Sequence, residues 1–318
     1  MSCSELCDCE VDSNVFTSEE AAELRLLRPG ASPASVLQDY WELVKPEIAF
    51  LVVLSALAGF MLGAGEIINP LLLALTLGGT ALASAGGGVL NHYIERNDDA
   101  LMRRTAQRPL PSGRIRANAA LTFGLILIAG GLTLLWWVNL ITLLLAALTI
   151  VLYLFAYTPL KRRTTYNTLI GTIPGALPAL GGYVAATGSV GIGGWVLFSI
   201  LALWQMPHFL ALAWMYRKDY ARGGHAMFPV RNPDGKATAK RTLVYSTLLL
   251  GVSLLPTVLD YTGWLYLAII IPTGIGFIFP AIGFYREQTP RLARKILLAS
   301  IVYVPLLVTA IAADLWLL

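Results

Sequence analysis

The feature that most constrains this chain is a set of nine apolar runs, at about 48–64, 70–93, 117–137, 140–157, 168–186, 194–215, 243–259, 264–285 and 296–316, nearly free of charged residues. Runs of about 20 apolar residues are long enough to cross a bilayer's hydrocarbon core as helices. Lipid offers the backbone no hydrogen-bond partners, so a spanning segment must satisfy its own, as a helix does. Only 13% of the residues are charged and the mean hydropathy is +0.67, whereas soluble domains carry about 25% charged residues. A soluble domain is excluded. The expected fold is all-α: a polytopic membrane protein with nine transmembrane helices.

The cations fix an orientation. Three of the 23 Lys and Arg residues precede the first run, six follow the second, three follow the fourth, seven follow the sixth and four follow the eighth. None falls in the other four loops, which are short. By the positive-inside rule the N-terminus and the even-numbered loops are cytoplasmic and the C-terminus lies outside, as expected for a protein of the cell (inner) membrane. The net charge of +4 is therefore a topology signal, and nucleic acid is not an expected partner.

Residues 1–38 are polar and rich in Ser and Glu, with little helical periodicity, and are expected to form a disordered cytoplasmic tail. No cleavable signal peptide is expected, because Met1 to Asp12 lacks an apolar core; acids dominate before Arg25, which argues against a transit peptide. Cys3, Cys7 and Cys9 are expected to be incidental thiols of the tail, since a closed zinc site usually needs four ligands. From Asp39 an interfacial helix is expected, with Tyr40 and Trp41 at headgroup level and Pro46 opening the first span. The membrane domain is thus read as 39–318.

Chemistry concentrates at the cytoplasmic ends. Asn91, Glu95 and Asp99 recur every four residues, so on a continued helix they fall within about 80° of arc. An amide oxygen and two carboxylates are hard ligands of the kind Mg²⁺ takes, with water and phosphate oxygens completing the shell. Arg104, Arg108, Lys161, Arg162 and Arg163 bring cations to the same membrane face. Carboxylate, metal and guanidinium or ammonium are the groups a diphosphate requires. Tyr157 stands one turn before Lys161, and Asp219 is either a further acid facing the metal or half of a surface ion pair. His208, after Pro207 in the sixth run, is one of the few ionisable residues within a span, which marks it for function.

These residues carry a family likeness. Asn91-x3-Glu95-x3-Asp99-x2-Met102-x-Arg104-Thr105-x2-Arg108-Pro109 resembles the first signature of the intramembrane prenyltransferases that act on aromatic acceptors. Tyr157-Thr-Pro-Leu-Lys161-Arg162-Arg163, Asn167-x3-Gly171-x3-Gly175, and Trp204-Gln-Met-Pro207-His208 through Trp214, Tyr216, Asp219 and Tyr220 to Met227 and Pro229 are similar to the protoheme IX farnesyltransferase branch. The likeness runs from about Asp39 to the C-terminus. Glu95 and Asn97 stand where that family usually has Asp, Asp98 stands where an apolar residue is commoner, and Gly223 replaces the second acid of the later motif.

The resemblance implies a nine-helix bundle of prenyltransferase type, its central cavity open to the cytoplasmic face and to lipid. It implies transfer of the farnesyl group of farnesyl diphosphate to the 2-vinyl group of heme b, giving heme O. Asn91, Glu95 and Asp99, with Lys161, become the catalytic residues. Mg²⁺ falls to Asn91, Glu95, Asp99 and Asp219, and the diphosphate to Arg104, Arg108, Lys161 and Arg162. His208 becomes the heme-binding residue, as ligand or as guide, and a downstream heme-modifying enzyme is an implied partner. Two rivals stand beside this: the same donor chemistry on a quinone-precursor or chlorophyll-type acceptor, and a multi-span transporter, which would carry more ionisable groups at mid-membrane.

Overall fold

Long apolar runs settle as helices, and the computed structural model, which describes residues 33–65 and 67–317, contains only helices and their connections among them. In chain order they are α1 (Pro33–Leu43), α2 (Pro46–Ala64), α3 (Pro70–Ala100), α4 (Ala117–Trp136) and α5 (Leu140–Arg163). Next come α6 (Asn167–Thr187), α7 (Ile192–Met215), the short α8 (Arg217–Arg222) and α9 (Phe228–Arg231), and α10 (Lys236–Val252) with a final turn α11 (Leu255–Val258). The last two are α12 (Trp264–Arg286) and α13 (Pro290–Leu317). Among the described residues nine helices are long and apolar enough to span, as expected, counting α10 and α11 together.

Several helices outrun their expected ends. α3 continues past residue 93 to Ala100, α5 past 157 to Arg163, and α13 begins at Pro290 rather than near 296. The apolar signal stops where charge begins, but the helical hydrogen bonds do not need an apolar surface. Helix α1 starts at Pro33, ahead of the Asp39 at which an interfacial helix was expected. It is held by Arg114, whose Nε donates to Asp39 at 2.8 Å and whose Nη2 donates to Glu42 at 3.1 Å. Leu43 is fully buried beside Val89 and Ile115, while Trp41 remains exposed as an interfacial residue would. Cys3, Cys7, Cys9 and the rest of the tail lie outside the described residues.

Two sub-assemblies follow from the packing. α7, α10, α12 and α13 form a dense buttress in which Leu197, Ile200 and Trp204 meet Tyr266, Phe277, Tyr303 and Leu307. Asp314 closes the far end of that buttress by accepting hydrogen bonds from the backbone N–H groups of Gly263 and Tyr266 where α12 starts. The other side is built on α2 and α6. α2 and α6 cross so closely that a Cβ on Gly59 would collide with the carbonyl oxygen of Ala179, and one on Gly182 with that of Ala56. Small residues allow such backbone contact in lipid, where no hydrophobic force draws helices together. With α3, α5 and α7, these two helices leave a space between them.

Candidate active site

That space is a cavity of about 590 Å³, within the range typical of small-molecule sites. Ser55, Gly87, Ala146, Leu177, Gly181 and Trp204 make most of its walls apolar or small. At one end it is lined by Lys45, Asn91, His92, Glu95, Asp99, Arg104, Arg108, Lys161 and His225. The exposed Glu42, Glu47 and Ile48 also line it, so the cavity reaches the surface near the α1–α2 junction.

The four-residue spacing works as expected, because α3 stays helical through Asp99 and all three oxygen-bearing side chains are buried on its inner face. Each is held by a different cation. Lys45 Nζ donates to Asn91 Oδ1 at 2.6 Å, Lys161 Nζ to Glu95 Oε1 at 2.6 Å, and Arg108 Nη1 to Asp99 Oδ2 at 2.9 Å. The Asn91 amide is oriented by its other end, where Nδ2 donates to Thr158 Oγ1 at 3.1 Å. Thr105 Oγ1 donates to the Asp99 carbonyl at 2.8 Å and secures the end of the helix.

Local structure explains how the cations arrive. α5 contains a π-helical stretch, Leu152–Tyr157, whose wider turns put Tyr153, Tyr157 and Lys161 on the cavity side. The two phenol rings stack at 5.9 Å, and Lys161 Nζ lies 4.8 Å from the centre of the Tyr157 ring. π-Bulges of this kind recur at functional sites. Lys45 joins α1 to α2 with φ 51° and ψ 63°, a left-handed conformation costing roughly 1–2 kcal/mol outside glycine. Burial, then the neighbouring Arg108, pushes its ammonium down to about 7. An anion placed there reverses that shift.

Expectation and structure part company at two residues. Of the two readings open for Asp219, the structure has the ion pair: its carboxylate accepts from Arg222 Nη1 at 2.8 Å and it is not among the residues lining the cavity. Arg162 was expected on the diphosphate; instead Nη1 donates to Asp98 at 3.1 Å on the rim, also off the lining. In both cases a nearer opposite charge of the same surface captures the side chain. Arg104 does line the cavity, with its guanidinium 4.8 Å from the ring centre of Tyr216. His208 lines it as well.

Sequence reasoning overlooked Lys45, His92, Tyr153 and His225. Lys45 was counted only as a topology charge. His92 is buried with its Nδ1 3.7 Å from Asp99 Oδ2. His225 is delivered by a loop whose Ala226 N–H donates to the Lys161 carbonyl at 2.7 Å, and its imidazole pKa is lowered by burial, then by Lys161. The signal available was the Gly223-Gly224 turn between two charged segments; nothing in the spacing shows that it folds back over Lys161.

The donor set fits a magnesium diphosphate. Among the described residues no group of three or more His, Cys, Asp and Glu side chains could hold a metal. Mg²⁺, however, commonly takes one or two carboxylates and the substrate's phosphate oxygens. Glu95 and Asp99 supply those carboxylates, and the cations now on them are within reach of an entering anion.

Comparison with known proteins agrees. A sequence model described as the UbiA prenyltransferase family matches residues 52–304. A protoheme IX farnesyltransferase of Salinibacter ruber is 52% identical over 280 residues, covering 88% of this chain and 99% of that protein. Another of the same name from Solibacter usitatus is 43% identical, covering 85% and 96%. Among solved structures, one concerning digeranylgeranylglyceryl phosphate synthase superposes with a TM-score of 0.73 at 22% identity, covering 89% of this chain and 99% of that one. A UbiA homologue from Archaeoglobus fulgidus, bound to GPP and Mg²⁺, has a TM-score of 0.65 at 16% identity, covering 86% and 99%. At these identities the solved structures speak for the fold alone.

Proposed function

Because this chain belongs to the UbiA prenyltransferase family, with protoheme IX farnesyltransferases as its similar relatives, we propose that it transfers the farnesyl group of farnesyl diphosphate to the 2-vinyl group of heme b, giving heme O. The observation that carries the chemistry is the ring of alternating carboxylates and cations at one end of an otherwise apolar cavity. The diphosphate sits among the cations and the prenyl chain extends along the apolar wall.

Asn91, Glu95 and Asp99 would hold Mg²⁺, whose charge, when bound, weakens the bond to the diphosphate leaving group. Lys161, Lys45, Arg108 and Arg104 exchange their present partners for diphosphate oxygens and stabilise the anion as the C1–O bond breaks. The allylic cation left behind is shielded from water by the apolar wall. Tyr153 and Tyr157 present electron-rich ring faces to positive charge at this end of the cavity. The vinyl carbon attacks C1, and the cation this leaves beside the porphyrin ring takes up water, loses a proton and becomes a hydroxyl-bearing carbon. Farnesyl and hydroxyl groups are thus added across the vinyl bond, and diphosphate is released.

The even-numbered loops carry every cation outside the first segment, which supports a site on the cytoplasmic face of the cell (inner) membrane, where soluble farnesyl diphosphate can enter. The product is a substrate for a downstream heme-modifying enzyme. The test is direct. Membranes containing this protein, given Mg²⁺, farnesyl diphosphate and heme b, yield a heme whose mass shows both added groups, and given 4-hydroxybenzoate yield no prenylated product. Prenylated hydroxybenzoate without modified heme would move the chain to a quinone-type acceptor.

A further inference from the structure

His208 lines the cavity about two turns before the end of α7. Its Nδ1 lies 2.7 Å from the Oγ of Ser300 on α13. Ser300 is fully buried and is not itself part of the cavity wall. Its hydroxyl has one proton, and that proton is committed. Oγ lies 2.6 Å from the carbonyl oxygen of Leu297, and two oxygens approach so closely only with a hydrogen between them. The hydroxyl therefore offers His208 a lone pair, and the imidazole must donate from Nδ1.

That assigns the tautomer. With the proton on Nδ1, neutral His208 keeps a bare lone pair on Nε2, which has no hydrogen-bond partner among the described residues. Orientation is fixed by the same residue. The backbone carbonyl of Ser300 accepts the indole N–H of Trp204 at 2.8 Å, and the Trp204 ring lies 5.4 Å from the imidazole, tilted by 30°. Ser300 thus anchors one face of α7 at two points one helical turn apart.

We propose that Ser300 is a positioning residue for the acceptor: by holding Nδ1–H of His208 it presents Nε2 to the cavity as an axial ligand for the iron of a metalloporphyrin. This rests on the reading that the acceptor is heme b. Imidazole ligates metals through an unprotonated nitrogen, and the hydrogen bond at the other nitrogen sets which one that is. A phenolic acceptor can offer that lone pair only a hydroxyl proton, whereas the heme iron offers it a coordination position.

The test uses the full chain in lipid nanodiscs. The chain has three histidines, so ¹⁵N-histidine spectra resolve His208 once its signal is identified by loss in His208→Asn. The expected pattern is Nδ1 protonated and Nε2 bare; the opposite tautomer overturns the inference. Ser300→Ala should weaken heme b binding and raise the KM for heme by about tenfold, change the heme absorption band, and leave the KM for farnesyl diphosphate unchanged. Ser300→Thr, which keeps the hydroxyl, should restore heme binding. Heme turnover by the wild-type protein with an unaltered heme KM in Ser300→Ala would sink the inference alone. Absence of heme turnover in the wild type would sink the acceptor reading, and the ligand assignment with it.

Discussion

Asp99 accepts from Arg108 while buried at the cavity's polar end, and replacing one carboxylate oxygen by an amide nitrogen keeps its shape while removing its charge. Asp99→Asn is expected to lower Mg²⁺-dependent heme farnesylation by on the order of 10²-fold, with wild-type levels of folded protein in the membrane; near-normal turnover at limiting Mg²⁺ would remove Asp99 from the site. Glu95→Asp keeps the charge and costs less than tenfold, because Lys161 can follow a carboxylate shortened by one methylene. The neighbouring basic residues are separable by the same assay. Lys161→Ala leaves the buried Glu95 without its direct ion-pair partner and is expected to abolish most turnover. Arg162→Ala loses only a rim pair with Asp98, worth about 0–1 kcal/mol, and should stay within about twofold of wild type. Equal losses from the two would show that Arg162 also reaches the diphosphate.

Among the elements, α2 and α6 depend most narrowly on sequence, because their backbones touch at Gly59 and Gly182. A side chain there meets carbonyl oxygen rather than a side chain that can move aside. Gly182→Leu is therefore expected to cost about 3 kcal/mol and to lower the thermal midpoint of the detergent-solubilised protein, whereas Gly181→Leu, where a Cβ meets nothing within 4 Å, should be milder. These elements also show what was legible in the sequence. Apolar length marks every span, and the spacing of Asn91, Glu95 and Asp99 marks one acidic helix face, because both follow from periodicity along one helix. The sequence left two readings for Asp219 and did not show the partner of Arg162. Each is decided by which opposite charge lies nearer in space, Arg222 for one and Asp98 for the other. Likewise nothing in the local sequence announces the π-helical stretch that turns Tyr153 and Lys161 inward, or the distant Ser300 that meets His208.

At the scale of the whole molecule, the two sub-assemblies divide the labour. The buttress of α7, α10, α12 and α13 is packed with aromatic and aliphatic side chains and holds Trp204 and His208 against Ser300 of α13. The charged segments around Arg114 and Lys161 gather at the end where the cavity turns polar, since the α1 residues Asp39 and Glu42 bind Arg114, and the loop after α8 binds Lys161. On the proposed reading a diphosphate enters from that side, which the positive-inside rule predicts to be the cytoplasmic one. The orientation can be checked without any activity. With Cys3, Cys7 and Cys9 changed to Ser, single cysteines replace the exposed Gln107 and the exposed Ser189. In intact cells a membrane-impermeant thiol reagent is expected to label Ser189→Cys and spare Gln107→Cys until the membrane is opened. Labelling with the opposite pattern would place the polar end outside, away from cytoplasmic farnesyl diphosphate, and the proposed donor would then have no route to the site.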